Sequence, residues 1–535
     1  MEPNDTYKEY LQSFASKLAK FASIRTSDFV VIYSDWRVEN TGFGYAIIKL
    51  PFFGLAKIAH RSHPLGRKNS MKSRGPKFGS MLVFATAMIA FGSFAFAQTS
   101  PLMQPITVYA QPKASPTPLV QRTGSVGSTD PNGIPVAPST IKTSNPVLAE
   151  TPIPGYSGVL VESLAGNVVV ENLANVTFNP ASNVKIATSY AVLKTFGPAY
   201  RFPTNVWTDG NLDASTGTLT GNIYVSGRDP VFGYEQAIEI AHELNRLGIR
   251  NVQGDLIVTD NFAMNYSMSV TRSADVLFAT LDNSRRSVAA VRDWTNFVAN
   301  SGRVGYYSGM PSVTFTGKVY VQPMPSTLNL LFSHESAQMR DIVKAMMCFS
   351  NNFLSDRLGD MIGGPYAVAR IVQQDTGATP TEFYIQTSSG LGINRVTPAA
   401  MMKLLRVFRA DLARNRMTFL DIMPVAGLDD GTLEGRFAND YSRGSVVGKT
   451  GTLGQTDGGV SALAGEINTR DGRFLFVIFN QRGRVNGFRA FQNNYISLIQ
   501  GEFGGPVSLG YAPISLDARL AKTRISYPTA RVVGN

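Results

Sequence analysis

Cysteine is nearly absent from this sequence: Cys348 is the single one among 535 residues. An intrachain disulfide and a thiolate metal cluster are therefore excluded. Histidine is also scarce, and only His242 and His334 lie beyond the first 100 positions. A Ser-His-Asp hydrolase needs a histidine as its base, and few candidates are present. A zinc peptidase is also disfavoured, because neither histidine has a second one nearby. We interpret both histidines as structural residues, and Cys348 as a small buried core residue.

Charge is sparse as well. Charged residues make up 16% of the chain and apolar residues 44%, a balance typical of a folded globular protein. More than half of the net charge of +12 lies in residues 1–97, and the remainder has no long basic run. This pattern disfavours nucleic-acid binding and is compatible with mild attraction to an acidic cell-surface polymer. There is no glycine-rich phosphate loop, and we predict neither a cofactor nor a metal.

A run of 17 uncharged residues at 81–97 is short for a membrane span. Three basic residues precede it, and Ala95-Phe96-Ala97 has the small-x-small form of a cleavage site. We therefore predict a secretory signal peptide at 71–97 and an exported protein of the periplasm or cell-wall space, with at most peripheral membrane contact. An uncleaved anchor remains an alternative. A signal peptide normally lies at the N-terminus of a protein. Residues 1–70 are therefore interpreted as upstream sequence read in frame or as a disordered extension.

Residues 98–150 are rich in proline, serine and threonine and lack an apolar period, which predicts a disordered linker. Folded structure is expected from about Gly155. Two strand-like runs around Ala165-Gly166-Asn167 predict a hairpin, and Gly197-Pro198 predicts the end of a helix that starts near Pro180. Three strand candidates follow near the C-terminus, with a turn at Arg470-Asp471-Gly472 and a closing helix. Helices that flank a meander of strands indicate an α+β layer fold.

The stretch "NPASNVKIAT" places Ser182 and Lys185 three positions apart, and therefore on one face of the predicted helix. A serine hydroxyl is a poor nucleophile unless a base lies beside it. A lysine can be that base only when burial or a second cation lowers its pKa, and the neighbouring residues are apolar. A capping serine with a solvated lysine is the alternative interpretation, because Ser-x-x-Lys alone is a weak signal.

Two further stretches strengthen the catalytic interpretation. Ser350 and Asn352 form a Ser-x-Asn motif, and Lys449, Thr450 and Gly451 form a Lys-Thr-Gly motif on a predicted strand. Taken alone, each motif also has a purely structural explanation, such as a helix cap or a solvated edge-strand lysine. The ordered set of three is the signature of penicillin-binding proteins and serine β-lactamases.

The chain from about 155 to 500 resembles the D-alanyl-D-alanine carboxypeptidase/endopeptidase family of low-molecular-mass penicillin-binding proteins. The similar stretches are "FNPASNVKIAT", "GNIYVSGRDP", "VQGDLIVTD", "SNNFLSDRL", "SSGLGINRVTP", "PVAGLDDGTLEGRF" and "GKTGTLGQTDGGVSALAGEI". The resemblance implies a three-layer domain, with an antiparallel sheet between helices, in two parts at 151–200 and 333–505. An α/β subdomain at 201–332 would be inserted between them, and 506–535 would be a C-terminal tail. One family stretch, Asp-Gly-Ser-Gly, reads Thr-Ser-Ser-Gly at 387–390, which leaves fine substrate preference open.

The resemblance also implies the roles of the site residues. Ser182 would attack the carbonyl between two D-alanines, and Lys185 would take its proton. Ser350 would pass that proton to the leaving amine, while Lys449 balances the charge. Asn352 would hold the substrate amide, Thr450 would bind the terminal carboxylate, and Gly451 would leave room for the substrate to lie against this strand. The backbone N–H groups of Ser182 and Thr452 would form the oxyanion hole. Peptidoglycan stem peptides that end in D-Ala-D-Ala would be the substrates, and β-lactams would acylate Ser182.

Other functions stay open at this point. A class A β-lactamase needs a Glu-x-x-Leu-Asn stretch after the second motif, and the sequence has none. A serine esterase or a non-catalytic peptidoglycan-binding protein would keep parts of the same signature. The sequence also leaves open the preference between carboxypeptidase and endopeptidase activity, and the oligomeric state.

Overall fold

The computed structural model describes residues 141–307 and 309–528. The segments predicted at 1–70 and 71–97, and residues 98–140 of the predicted linker, lie outside the described residues. Within residues 141–307 and 309–528, no helix is both long enough and apolar enough to cross a membrane.

Strands and helices alternate irregularly along the described chain. The strands are β1 (Tyr156–Ser163), β2 (Val168–Asn172), β3 (Pro203–Thr208), β4 (Asn211–Asp213), β5 (Thr218–Thr220), β6 (Ile223–Gly227), β7 (Asn251–Gln253), β8 (Leu256–Val258), β9 (Thr314–Phe315), β10 (Val319–Val321), β11 (Asn329–Glu335), β12 (Phe383–Tyr384), β13 (Arg395–Val396), β14 (Val446–Leu453), β15 (Val460–Thr469), β16 (Gly472–Gln481) and β17 (Arg524–Ser526). The α-helices are α1 (Pro146–Glu150), α2 (Val184–Phe196), α3 (Tyr234–Arg246), α4 (Val270–Leu281), α5 (Val288–Ser301), α6 (Met339–Phe349), α7 (Asn352–Asp360), α8 (Gly364–Thr376), α9 (Pro398–Arg414), α10 (Val485–Glu502) and α11 (Leu516–Leu520).

Outside the segment between α2 and α6, the chain folds into one larger part. A five-stranded antiparallel sheet forms the middle layer of this part, in the order β14-β15-β16-β1-β2. Successive side chains of a strand point to opposite faces, and here both faces are covered, so β15 is buried along its whole length. Helices α2 and α6–α9 pack on one face, and α1 and α10 pack on the other. Alternate residues of β16 enter the two cores: Leu475, Val477 and Phe479 on one side, and Phe474, Phe476 and Ile478 on the other. The hairpin, the turn before β16 and the closing helix are where the sequence predicts them.

The segment between α2 and α6 folds around its own core. Its six-stranded sheet has the order β10-β8-β6-β3-β11-β17, with the first three strands parallel and the others antiparallel. Helices α3 and α4 cover it, and a smaller sheet has the order β4-β5-β7-β9. This mixed sheet with helices is the predicted inserted α/β subdomain.

Three predicted boundaries are wrong in detail. The predicted linker 98–150 reaches too far, because α1 lies inside it and fully buries Leu148 beneath the sheet. The boundary at 332 cuts through β11. The predicted tail 506–535 is not peripheral, because its strand β17 pairs with β11 of the inserted sheet. Composition could not reveal these pairings, since they join segments that are far apart in the sequence.

Candidate active site

Ser182 lies in a short 3₁₀ turn, Ala181–Asn183, that runs directly into α2. Ala181 has a φ of +47°, and its N–H donates to Asn179 Oδ1 at 3.0 Å. Asn179 is held in turn by the side chain of Gln481 in β16, which accepts from its backbone N–H at 3.1 Å. The turn that presents Ser182 is therefore anchored to the central sheet.

Lys185 follows in the first turn of α2, and its side chain is fully buried. Its Nζ lies 3.1 Å from Ser182 Oγ, 2.7 Å from Asn352 Oδ1 and 2.7 Å from the carbonyl oxygen of Ser389. The last two atoms can only accept hydrogen bonds, whereas the serine hydroxyl can also donate. A neutral amine has two N–H groups and one lone pair, and it matches these three partners with its lone pair toward Ser182.

Burial lowers the pKa of Lys185 to about 7, against a smaller opposing effect of the nearby Asp356 carboxylate. Removing an ammonium group from water disfavours its charged form, so the neutral amine is well populated near neutral pH. The predicted Ser182–Lys185 pair is thus brought together in the form that a general base requires.

Ser350 and Lys449 form the second pair. Ser350 ends α6 in the left-handed conformation, with φ of +54°, and its Oγ accepts a hydrogen bond from Lys449 Nζ at 2.8 Å. Lys449 is fully buried, and its Nζ also donates to the carbonyl oxygen of Thr450 at 2.7 Å. Burial, and then the charge of Lys185, hold the pKa of Lys449 well below its usual range. The charge of Lys185 therefore disfavours the charged form of Lys449.

The strand β14 lies directly against the turn of Ser182. With its amide nitrogen turned toward the strand, Asn183 donates to the carbonyl oxygens of Lys449 and Thr450, at 2.8 and 3.3 Å. A Cβ at Gly451 would lie only 2.6 Å from the carbonyl oxygen of Pro180, so glycine permits this approach. The family resemblance implies that Gly451 leaves room for the substrate, whereas here its side-chain position faces the turn of Ser182.

The two threonines of the third motif differ in exposure. Thr450 is half-buried, whereas Thr452 is exposed, and Thr452 Oγ1 accepts a hydrogen bond from Arg489 of α10 at 3.0 Å. Cys348 is fully buried in the core, and burial raises the pKa of its thiol to about 12, so it is not a nucleophile at neutral pH. His334 is buried against Glu239, with Nε2 2.9 Å from a carboxylate oxygen.

Sequence reasoning missed the loop that follows β12. The carbonyl of Ser389 binds Lys185, and the Ser389 N–H donates to Asp356 Oδ1 at 2.8 Å. Gly390 has a φ of +89°, and a Cβ there would lie 2.0 Å from the carbonyl oxygen of Ala181. A backbone carbonyl carries no residue signature, but Gly390, as the glycine retained in the altered Thr-Ser-Ser-Gly stretch, was the available sign of a close approach.

Comparison with known proteins gives a family match and several relatives. The sequence model of the D-Ala-D-Ala carboxypeptidase 3 (S13) family matches residues 147–276 and 309–494. The D-alanyl-D-alanine carboxypeptidase of Actinomadura sp. (strain R39) is 26% identical over 425 residues, which cover 60% of this chain and 77% of that protein. The D-alanyl-D-alanine carboxypeptidase DacB of Haemophilus influenzae is 29% identical over 192 residues, which cover 33% of this chain and 37% of that protein.

Among solved structures, a predatory peptidoglycan endopeptidase from Bdellovibrio bacteriovorus has a similar fold. Its TM-score is 0.58 at 22% identity, with 69% of this chain and 98% of that chain covered. The predicted α+β fold, with helices around an antiparallel sheet and an inserted subdomain, is confirmed. So is the predicted family resemblance.

Proposed function

Because the chain belongs to the D-Ala-D-Ala carboxypeptidase 3 (S13) family, we propose that it is a serine-type D-Ala-D-Ala carboxypeptidase acting through an acyl-enzyme on Ser182. The observation that carries this proposal is the contact of 3.1 Å between the buried Lys185 amine and the Ser182 hydroxyl. The proposed substrates are peptidoglycan stem peptides, and the predicted signal at 71–97 would deliver the enzyme to the periplasm or cell-wall space.

In the acylation step, Lys185 Nζ takes the Ser182 hydroxyl proton while Oγ bonds to the penultimate alanine's carbonyl carbon. The bond between that carbon and the amide nitrogen then breaks. The leaving amine receives a proton through Ser350 Oγ, which Lys449 holds at 2.8 Å. Water attacks the ester in the second step and releases the shortened peptide. No atom or electron is required beyond those of the peptide and water.

Charge that develops on the carbonyl oxygen would be held by the backbone N–H groups of Ser182 and Thr452. Each such donor typically lowers the barrier by about 2.7–4 kcal/mol. The Asn352 amide has its oxygen occupied by Lys185, which leaves its NH₂ group to donate to a carbonyl of the substrate. Thr450 would bind the substrate's terminal carboxylate.

The test is acylation of the purified protein by a fluorescent penicillin together with release of D-alanine from purified muropeptides. We expect the wild type to be labelled and to release D-alanine, and the Ser182→Ala variant to do neither. Product masses separate the two peptidase activities, because loss of one alanine marks a carboxypeptidase and conversion of dimers to monomers marks an endopeptidase. An unlabelled wild type would favour a peptidoglycan-binding protein, and rapid nitrocefin turnover without D-alanine release would favour a β-lactamase.

A further inference from the structure

The loop between β14 and β15 carries a carboxylate that the proposed reaction leaves unused. Asp457 lies within this loop, residues 454–459, and its side chain is only 18% exposed. Its φ of +52° falls in the left-handed region, which aspartate tolerates better than most residues do. From this position the carboxylate reaches both the loop that holds Lys185 and the turn that presents Ser182.

Both carboxylate oxygens of Asp457 accept hydrogen bonds from Arg395 in β13. Arg395 Nη2 donates to Oδ1 at 2.9 Å, and Nη1 donates to Oδ2 at 3.0 Å. Two parallel bonds of this kind fix the orientation of both groups, which a single ion contact does not. The pair therefore ties the loop after β14 to the loop after β12, where the Ser389 carbonyl accepts a hydrogen bond from Lys185.

Asp457 also contacts the residue that holds the turn of Ser182. The fully buried Asn179 donates through Nδ2 to Asp457 Oδ2 at 2.8 Å and to the carbonyl oxygen of Gly392 at 2.9 Å. Its Oδ1 accepts the N–H of Ala181, the residue directly before Ser182, at 3.0 Å. Because both amide hydrogens and the amide oxygen are engaged, the Asn179 side chain has one orientation. A single side chain therefore connects Asp457 to the turn of Ser182.

The backbone of Asp457 is fixed as well. Its carbonyl oxygen accepts the N–H of Arg482, directly after β16, at 3.2 Å. One residue thus joins the loop after β14 to the turn of Ser182, the loop of Ser389 and the end of the central sheet. Thr452 lies near the end of β14, just before this loop. The N–H groups of Ser182 and Thr452 are the proposed oxyanion donors, and such donors act only when they are held at the right distance from the developing charge.

We propose that Asp457 is a positioning residue for the acylation step, which holds the turn of Ser182 at a fixed distance from the loop that follows β14. The two oxyanion donors thereby keep the spacing that the reaction needs. This inference rests on the proposed function and adds a residue to the machinery of that site. Asp457 neither contacts the substrate nor exchanges a proton with it. The pKa of Lys185 depends on burial and on Asp356, so loss of Asp457 should slow the reaction without changing the ionisation of the base.

The experiment measures acylation by penicillin across the pH range for the wild type, Asp457→Ala and Asp457→Asn. We expect Asp457→Ala to lower the high-pH rate about 10- to 100-fold, the effect of misplaced reacting groups, with the pH midpoint unchanged. Asp457→Asn keeps an acceptor for Asn179 but loses the charge that pairs with Arg395, so its rate should lie between the other two. The infrared band of the acyl-enzyme's ester carbonyl should move to higher frequency in Asp457→Ala, because a carbonyl with weaker hydrogen bonds vibrates faster.

The matched control is Asp282→Ala in the inserted subdomain. The side chain of Asp282 is 12% exposed, accepts the N–H of Ser284 at 2.9 Å within its own loop and pairs with Arg285 at 3.4 Å. This variant therefore also loses a loop carboxylate with an arginine partner, but far from the three motifs in the sequence. Its acylation rate, pH midpoint and infrared band should all keep the wild-type values.

Three results overturn the proposal: a wild-type rate in either Asp457 variant, a lower rate with a shifted pH midpoint, or an equal loss in Asp282→Ala. The second result would mean that Asp457 acts through the surroundings of Lys185, and the third that any such carboxylate supports the fold. Should Asp457→Ala fail to fold, Asp457→Asn decides by the same criteria. Failure of the proposed function has a different signature, because the wild type itself would then not react with penicillin.

Discussion

At the scale of single residues, the site depends on two buried lysines with different partners. Lys185 has two obligate acceptors and one hydroxyl around its amine, which leaves a lone pair for the Ser182 proton. Lys449 is more deeply buried, and its amine donates a hydrogen bond to Ser350 Oγ. Desolvation is the dominant influence on both amines, and only Lys185 has a nearby carboxylate, Asp356, that partly restores its charge. Burial therefore lowers the pKa of both amines, as the proposed role of Lys185 as a base requires.

Replacing Lys185 with arginine makes the positive charge permanent and removes the base, because a guanidinium does not lose its proton in this pH range. We expect the rate of acylation by penicillin to fall about 10²- to 10⁴-fold, the usual contribution of a general base. Lys194→Arg, on the same helix but half-exposed and paired with Asp375, is the control and should react at the wild-type rate. A Lys185→Arg variant that still reacts at that rate would show that another group takes the proton.

The acylation rate should follow the ionisation of Lys185. Below its pKa of about 7 the amine is protonated and has no lone pair, so the rate should fall about tenfold for each pH unit. Above that pKa the rate should level off. The variant Asp356→Asn keeps an acceptor for the Ser389 N–H but removes the charge that raises the pKa, and its midpoint should move to lower pH. A midpoint that stays in place, measured by labelling across the pH range, would rule out Asp356 as the influence on Lys185.

At the scale of elements, the site depends on a strand that lies unusually close to a turn. A Cβ at Gly451 would lie 2.6 Å from the carbonyl oxygen of Pro180. A Cβ at Gly390 would lie similarly close to the carbonyl oxygen of Ala181. The turn of Ser182 is thus enclosed between two glycine-containing segments. Both contacts are with backbone atoms, which cannot move aside as the end of a flexible side chain can.

We therefore expect Gly451→Ala to separate β14 from the turn of Ser182. Overpacking of this kind typically costs about 1–3 kcal/mol in the free energy of unfolding, and penicillin acylation should slow as the two motifs part. Gly454→Ala is the matched control, because a Cβ at that position has nothing within 4 Å. Urea unfolding and penicillin labelling of both variants provide the measurement. Equal behaviour of the two variants would mean that the close approach is unimportant.

Elements with local signals could be predicted from the sequence, and the contacts between distant elements could not. The hairpin β1–β2, the stop of α2 at Gly197 and the three motifs all have local signatures. Lys185 and Ser389, by contrast, are 204 positions apart, and the partner atom is a backbone carbonyl.

At the scale of the whole molecule, the C-terminal segment contacts both the inserted subdomain and the sheet-and-helix part that follows it in the chain. Tyr511 donates to Asp429 Oδ1 at 2.8 Å in the larger part, and Thr523 donates to the buried Glu239 of the inserted subdomain at 2.8 Å. Between them, Arg519 Nη1 lies 3.1 Å from Asp341 Oδ1 on α6, the helix that ends at Ser350. A segment that the family resemblance implies is a tail therefore braces the helix that ends at Ser350 against the insertion.

The ion pair of Arg519 tests this bracing role. Its two side chains are only 10% and 6% exposed, so Arg519→Met leaves the Asp341 carboxylate buried without its partner. We expect the free energy of unfolding to fall on the order of 3 kcal/mol, because an uncompensated buried charge is costly.

Arg524→Met, five positions on, is the matched control. Arg524 is 63% exposed and 3.6 Å from Glu335, and an exposed pair of this kind contributes about 0–1 kcal/mol. Urea unfolding of both variants, followed by penicillin labelling below the unfolding transition, separates stability from the placement of Ser350. If bracing matters, Arg519→Met should unfold at lower urea concentration and lose labelling before Arg524→Met does. The same unfolding midpoint for both variants would mean that the segment follows the fold without supporting it.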